Sequence, residues 1–405
     1  MPPNLEQAKA PPLKILYLTG YDPAGQDNGG VVRTRNILQL LSRLGQVRLV
    51  LAGDFQDETV KAHPSPGGFE LVDAVRFQST GPWSFYDRLR NEFDPRFLNP
   101  DRTQARPADV EKMQQLMAEH DLVWIHNLRL ADRYGLWRWP HSVLDIDDLP
   151  SGQYRNSLAQ AVGLAEKLRG KRQVRLWRRR EIFLLERFDA LCVCSEPDRK
   201  NFAGADRVFV LPNAFAAPAQ PPVRNPATPP RVGFIGDFRH APNRQGMQWF
   251  VENTWPRLLE KIPAARLRVI GKDGAAQTWL AQNNIDALGW VADTQSEMAT
   301  WSLTVVPIFS GGGTRVKIAE AFSRQCPVVA TSLGAYGYDV TDGRELLLAD
   351  SAENFTTKCL EILSQPPTGR KLAENAWKKF NENWTWDKQA ERIDRIVQTV
   401  LKKSA

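Results

Sequence analysis

Between residues 303 and 324 an apolar run, LTVVPIF, leads into Ser310-Gly311-Gly312-Gly313-Thr314, and a helical stretch follows directly. Consecutive glycines let backbone N–H groups close on an anion with no β-carbon in the way, and a helix N-terminus adds its positive end. Arg315 and Lys317 fall in the first turn of the expected helix, which runs from about Thr314 to Arg324. Cations there oppose the helix dipole, so a pair of them points to a negatively charged ligand. Glu320 follows Lys317 by three positions on the same face, placed to accept hydrogen bonds from sugar hydroxyls. Phosphate binding is the reading this pattern favours. A plain strand–helix loop with a surface ion pair is the alternative that spacing alone leaves open.

Other chemically capable residues stand at the ends of expected strands. Lys272 follows RLRVIG and reads either as a phosphate ligand or as a solvated loop lysine. His126 ends LVWIH, where a lone histidine is more often structural. Asp145, Asp147 and Asp148 in LDIDDLPS invite comparison with an Asp-x-Asp metal site. The four cysteines, Cys192, Cys194, Cys326 and Cys359, form no disulfide framework, and Cys192 and Cys194 alternate as buried strand residues do.

Strands and helices must hold these groups in place. LKILYLT (13–19), QVRLVLA (46–52), LVWIH (122–126), SVLDID (142–147), ALCVCS (190–195) and RVFVLP (207–212) read as strands. Several are apolar on both faces, as in a parallel sheet covered on each side by helices. Gly45 reads as the stop of the first helix, and 77–121 as short helices and loops near a cleft. Residues 213–230 hold six prolines and read as an extended linker. The alternation then restarts with RVGFIG, a helix around Met247–Leu259, RLRVIG, ALGWV, LTVVPI, PVVAT and ELLLA. The expected architecture is α/β with two Rossmann-like, doubly wound halves (1–212 and 231–386) facing a cleft, where ligands of such sheets bind. A last helix, 387–405, is expected to cross back to the first half.

Charge narrows the choice of partner. Of a net +7 over 405 residues, the window 151–180 alone carries +8, with nine Lys or Arg against Glu166. If 164–187 is helical, Lys167, Lys171, Arg172, Arg175, Arg178 and Arg179 share an arc of about 140°. That face suits an anionic membrane surface or a lipid-diphosphate acceptor, and a merely solvated helix is the plainer alternative. No nucleic-acid motif accompanies it, so no nucleic-acid partner is expected. No apolar run reaches the roughly 18 residues that span a bilayer, and the N-terminus does not resemble a signal peptide. A cytoplasmic location, with peripheral contact to the inner membrane face as an option, is the expectation.

The order of motifs carries a resemblance. VLPN (210–213), GFIGDFRHAPNRQGMQWF (233–250), LRVIGK (267–272), GWVAD (289–293), VVPIFSGGGTRVKIAEAFSRQCPVVAT (305–331), GAYGYDV (334–340) and ELLLAD (345–350) succeed one another. Together they resemble the donor-binding half of a retaining glycosyltransferase of the GT-B fold, glycosyltransferase family 4, in its bacterial polysaccharide-type branch. NGGVVRTR (28–35), WIHN (124–127), LDIDDLPS (144–151) and FDALCVCSEPD (188–198) extend the resemblance more thinly into the first half.

The resemblance implies roles. Gly312, Gly313 and Thr314 would close on the diphosphate of a nucleotide sugar, assisted by Arg315 and Lys317, and Glu320 would bind the ribose. A second family glutamate that contacts the transferred sugar is replaced here by Gly312. Gly236, Arg239, Asn243, Arg244 and Lys272 are the further donor-side candidates, with Arg239 or Arg244 expected to reach the phosphates. Gly29 and Gly30, after Asn28, would form an acceptor-side loop against those phosphates, and His126 would lie near the reacting sugar. His126, Arg239 and Lys317 are thus the catalytic candidates. Such enzymes neutralise the leaving diphosphate with basic groups and helix ends, so no obligatory metal is expected; Asp147 or Asp148 would then order the loop, cap a helix or touch the acceptor.

The expected function is therefore transfer of a sugar, with retention, from a nucleotide-diphosphate sugar to a glycan or lipid-linked acceptor in cell-surface polysaccharide or glycoconjugate synthesis. No dedicated cofactor is implied beyond the nucleotide sugar as co-substrate. A nonhydrolysing nucleotide-sugar epimerase and a non-catalytic, membrane-docking protein of the same fold are the alternatives.

Overall fold

The computed structural model describes residues 12–25, 29–53, 68–98, 101–158, 161, 163–202, 205–218 and 220–404. The first lobe contains strands β1 (Leu13–Thr19), β2 (Gly45–Ala52), β3 (Phe69–Val75), β4 (Gln78–Ser79), β5 (Thr103–Gln104), β6 (Leu122–His126), β7 (Ser142–Ile146), β8 (Ala190–Val193) and β9 (Val208–Val210). Seven of them form one parallel sheet in the order β3-β2-β1-β6-β7-β8-β9, while β4 and β5 make a separate ribbon. The second lobe contains β10 (Arg231–Ile235), β11 (Arg266–Ile270), β12 (Ile285–Gly289), β13 (Leu303–Val306), β14 (Val328–Ala330) and β15 (Leu347–Leu348). These form a second parallel sheet, ordered β12-β11-β10-β13-β14-β15.

Both faces of the central strands are covered, which explains their unbroken apolar runs. In β1, Leu16 and Leu18 join one buried cluster with Ile125 and Leu144. Ile15 and Tyr17 join another with Trp124 and Val143 on the opposite face. That second cluster also takes Ile393, Ile396, Val397 and Val400 from the helix Trp386–Ser404, so the end of the chain lies on the first lobe. The linker is laid on the second lobe: Asn225 N donates to Ala299 O, Ala227 N to Thr300 O, and Arg224 to the carbonyls of Met298 and Trp301.

In each sheet the chain winds outward in one direction, then returns to the other side of the first strand. The topological switch points, between β1 and β6 and between β10 and β13, put the C-terminal strand ends where a ligand crevice forms. His126, Asp147, Gly236 and the glycine loop all sit at such ends.

Several local expectations need correction. Gly45 does not stop the first helix, which ends at Leu41; it opens β2, where a β-carbon would collide with the backbone of Leu13. The helix expected around Met247–Leu259 is two, Ala241–Asn253 and Trp255–Lys261, because Pro242 and Pro256 each sit in a first turn, where the missing N–H costs nothing. The basic helix ends at Glu181 and a short turn, Leu184–Arg187, follows. Within 77–121, the helix Phe85–Phe93 makes its polar contacts with the basic helix, and Pro107–Glu119 is a full 13-residue helix.

Candidate functional site

After β13 the chain leaves regular structure until the helix Val316–Ser323, two residues later than the sequence suggests. Gly311 and Gly313 have φ of +89° and +69°, conformations in which a side chain is strained. The loop's carbonyls are tied down. Arg315 folds back to donate to Gly312 O, to Gly313 O (2.9 Å) and to Ser310 O (3.3 Å), and Asn156 Nδ2 donates to Gly311 O (2.9 Å). Among the described residues no group accepts a hydrogen bond from the N–H of Gly311, Gly312, Gly313 or Thr314. Acceptors are turned into the protein and donors are left for a ligand, which is what an anion site requires.

Lys317 lies in the first turn of the helix that leaves this loop. Its Nζ donates to Asn243 Oδ1 (2.8 Å) and stands 4.1 Å from the centre of the Phe234 ring. Burial, reinforced by the neighbouring Arg315 charge, lowers its pKa to about 7. A β-carbon on Gly236 would press on both Lys317 Nζ and Asn243, so the glycine at the end of β10 gives the lysine its room. Glu320 is nearly buried, and its Oε1 accepts from Thr294 Oγ1 (2.9 Å), which fixes the carboxylate at the start of the helix Thr294–Ala299. His240 is the residue before the helix Ala241–Asn253, and its pKa is lowered by burial and by Lys317 and Arg315.

The first lobe meets the loop through the residues after β7. β-carbons on Gly312 and Gly313 would run into the Asp148 carboxylate, and one on Gly312 also into Gln153. Asp148 Oδ2 accepts from Gln153 Nε2 (2.9 Å), whereas Oδ1 is buried without a partner among the described residues. Burial and the adjacent Asp147 charge raise the Asp148 pKa to about 6. Asp147 moves the other way: although burial opposes it, contacts from His126, Arg33 and Cys194 hold it ionised far below the usual carboxylate range. His126 is fully buried, with Nδ1 3.0 Å from Thr34 Oγ1 and Nε2 3.8 Å from Asp147 Oδ2.

A second amide joins the lobes. Asn213 Nδ2 donates to Thr314 Oγ1 (3.0 Å) in the glycine loop and to Asp147 Oδ1 (3.2 Å), while its Oδ1 accepts from Arg33 Nη1 (3.1 Å). Arg33 is itself buried in a two-point contact with Asp145, at 2.6 and 3.1 Å, and donates to Leu211 O. Asp145 is therefore engaged by an arginine, and the three aspartates of LDIDD hold three different environments.

The structure brings together Gly236, Asn243 and Lys317 at the start of the helix that follows Gly312, Gly313 and Thr314, with Glu320 one turn further along it. It does not bring Arg239 to them. That guanidinium pairs with Asp237 two residues earlier and remains 59% exposed. Arg244 donates to Phe238 O, and Lys272 is half-buried with its carbonyl accepting from Phe238 N. Arg315 braces the loop from within and does not project from it. On the acceptor side, a β-carbon on Gly29 would lie 3.7 Å from Val316 Cγ2 across the lobe boundary, and Gly30 packs under the Tyr21 ring; Asn28 lies outside the described residues. No motif in the sequence marks Arg33, Asn156 or Gln153 as site residues, whereas Asn213 has its signal in VLPN. A separate cavity of about 650 Å³, lined by Glu196, Arg199, Tyr338, Arg392 and Arg395 among others, contains neither Lys317 nor Glu320.

Solved structures share this fold over nearly the whole chain. Sucrose-phosphate synthase from Thermosynechococcus elongatus superposes with a TM-score of 0.67 at 17% identity, covering 96% of this chain and 100% of that one. Anabaena HepE in complex with UDP and glucose gives 0.63 at 14%, again covering 96% and 100%. The fold is GT-B. Within it, residues 229–365 of the second lobe match the family described as glycosyl transferases group 1. An uncharacterized 44.6 kDa protein in the cps region of Klebsiella pneumoniae is 23% identical over 163 residues, which is 38% of this chain and 42% of that relative. The match thus spans about two fifths of the relative's length. The unused donors and Lys317 belong to the GT-B lobe that carries the family match.

Proposed function

We propose that this protein is a glycosyltransferase that moves a sugar, with retention, from a nucleoside diphosphate sugar to a glycan or lipid-linked acceptor in the synthesis of a cell-surface polysaccharide or glycoconjugate. The observation that carries the reading is the loop Ser310–Thr314, whose carbonyls are bonded inward while its N–H groups, beside Lys317, are left for an anion. The UDP and glucose held by the HepE neighbour, and the cps region of the Klebsiella relative, agree with a nucleotide sugar and a polysaccharide product.

The chemistry asks mainly for stabilisation of charge on the departing diphosphate. Backbone N–H groups and a lysine fixed in advance supply it without reorganising. Lys317 is poised near neutrality, so a bound diphosphate restores its full charge. The acceptor hydroxyl attacks the anomeric carbon on the face the diphosphate leaves. The carbon–oxygen bond to phosphate breaks with its electron pair on the phosphate oxygen, and the hydroxyl proton passes to that diphosphate. Asp147 is held ionised by its neighbours and serves to position Asn213 and His126. Asp148 lies over the loop and fills the space that Gly312 leaves open, so it holds the first lobe against the donor side.

The test is incubation of the purified protein with a panel of nucleotide sugars, with and without bacterial lipid extract, reading nucleoside diphosphate release. Transfer of the sugar to extract with release of diphosphate is expected. No turnover of any donor, even with acceptor lipid present, overturns the proposal, and epimerised donor without release replaces it with epimerase chemistry.

A further inference from the structure

The helix Phe85–Phe93 turns its apolar side outward. Phe85, Tyr86, Leu89 and Phe93 are 77%, 68%, 41% and 66% exposed. At 3.6 residues per turn these four fall within an arc of about 100°, the kind of stripe a helix in a globular lobe normally buries. The helix is firmly built: Ser84 and Asp87 form a capping box at its start. Its other end is clamped to the helix Leu164–Glu181, where Arg172 Nε and Arg175 Nη2 hold Glu92 at 2.7 and 2.9 Å, and Arg179 donates to the carbonyls of Glu92 and Phe93. The arc of the second helix that carries these arginines also carries Lys167, Lys171 and Arg178, together with Leu164 and Leu168, which are 75% and 59% exposed.

We propose that the helices Phe85–Phe93 and Leu164–Glu181 form one docking face for an anionic lipid bilayer, the aromatic and leucine side chains entering the interface and the cations meeting the headgroups. The combination is what an interfacial helix needs: apolar side chains for insertion and Lys/Arg for a negative leaflet. Charge argues against a second copy as the occupant, because a two-fold contact would set this basic face against itself. The acids nearby are already engaged: Glu92 by Arg172 and Arg175, Asp87 by Ser84, and Asp94 by Arg90. No helix among the described residues is long and apolar enough to cross a membrane, so this face would give surface attachment. The inference goes beyond the donor chemistry and does not depend on it.

The full chain is sedimented with vesicles of phosphatidylcholine alone and of phosphatidylcholine with phosphatidylglycerol. Binding to the anionic vesicles only, released by salt, is expected. The variants Phe85→Ser/Leu89→Ser/Phe93→Ser and Lys167→Glu/Lys171→Glu/Arg178→Glu should each weaken it by about tenfold or more, with circular dichroism and diphosphate release in solution retained. Failure to bind, equal binding to neutral vesicles, or binding that neither variant alters overturns the proposal. So does a concentration-dependent oligomer that the serine variant abolishes, or an RNA duplex that binds the same face in preference to vesicles. Vesicle binding is read without any donor, so its failure and a failure of the glycosyltransferase reading are distinguishable.

Discussion

Asp148 of the first lobe and Gly313 of the second share one small space: the carboxylate Oδ1 lies where a β-carbon on Gly313 would have to go. Gly313 also has a φ of +69°. Gly313→Ala therefore meets both backbone strain, about 1–2 kcal/mol, and a carboxylate that must withdraw. We expect kcat/KM to fall by about tenfold or more, since 1.4 kcal/mol is a factor of ten, with Tm lowered by a few degrees. Turnover equal to the parent's would show that the two lobes need not meet at this point.

Asp148 carries a pH signature. Its folded pKa of about 6 lies above its unfolded value, so the folded state holds the proton more tightly, and stability falls as pH rises from about 4 to 6. Asp148→Asn removes the penalty of a buried charge. The variant should unfold at a higher temperature than the parent at pH 7–8, and the gap should narrow as pH falls below 6. A gap that widens in acid would contradict this placement of the carboxylate.

Lys317 titrates near neutrality because burial and Arg315 disfavour its charge. A diphosphate favours that charge, so ligand binding above pH 7 should take up a proton. Calorimetry of nucleoside diphosphate binding at pH 8, in buffers of different ionisation enthalpy, should report an uptake approaching one proton, lost in Lys317→Met. Affinity should decline as pH rises through 7. Binding with no proton exchange would remove Lys317 from the phosphate.

Glu320 is held by Thr294 at the start of the helix Thr294–Ala299, placed to accept ribose hydroxyls. Glu320→Ala should weaken nucleoside diphosphate binding by about 1.5–3 kcal/mol, the range for hydrogen bonds to a charged group, with little effect on the binding of inorganic pyrophosphate. Equal loss for both ligands would argue for a structural role.

Arg33 and Asp145 are a fully buried ion pair beneath Asn213. Arg33→Met strands a buried carboxylate and should cost about 3–5 kcal/mol in denaturant unfolding. Arg33→Met/Asp145→Leu should recover much of that stability yet leave turnover low, because Asn213 loses the contact that aims its amide at Thr314.

The sequence revealed what adjacency reveals. Runs such as LVWIH and LTVVPI are apolar on both faces because helices cover both, and the glycine loop with Lys317 and Glu320 is contiguous, so the second-lobe half of the site could be read directly. Contacts across the lobes could not. Asn213 meets Thr314 over 101 positions, and Asp148 fills the space above Gly312 with nothing in either segment to announce it. Arg239 stands at a motif position that promises phosphate, while in the structure Asp237, two residues before it, takes the guanidinium. β3 is an edge strand, half-buried along most of its length, and FELVDAV lacks the clean periodicity of a covered one. The helix FYDRLRNEF has the stripe of a core helix, and only its surroundings show that the stripe points outward.

The helix Trp386–Ser404 supplies Ile393, Ile396, Val397 and Val400 to the core against β1, β6 and β7. During translation, then, the lobe that emerges first is the lobe completed last. Until the nineteen residues of that helix leave the ribosome, one face of its sheet stays open to water and to other chains. A stop codon that removes them would leave the entire family-matched lobe intact and still expose the sheet of its partner, so early termination should be read out as aggregation before it is read out as lost chemistry.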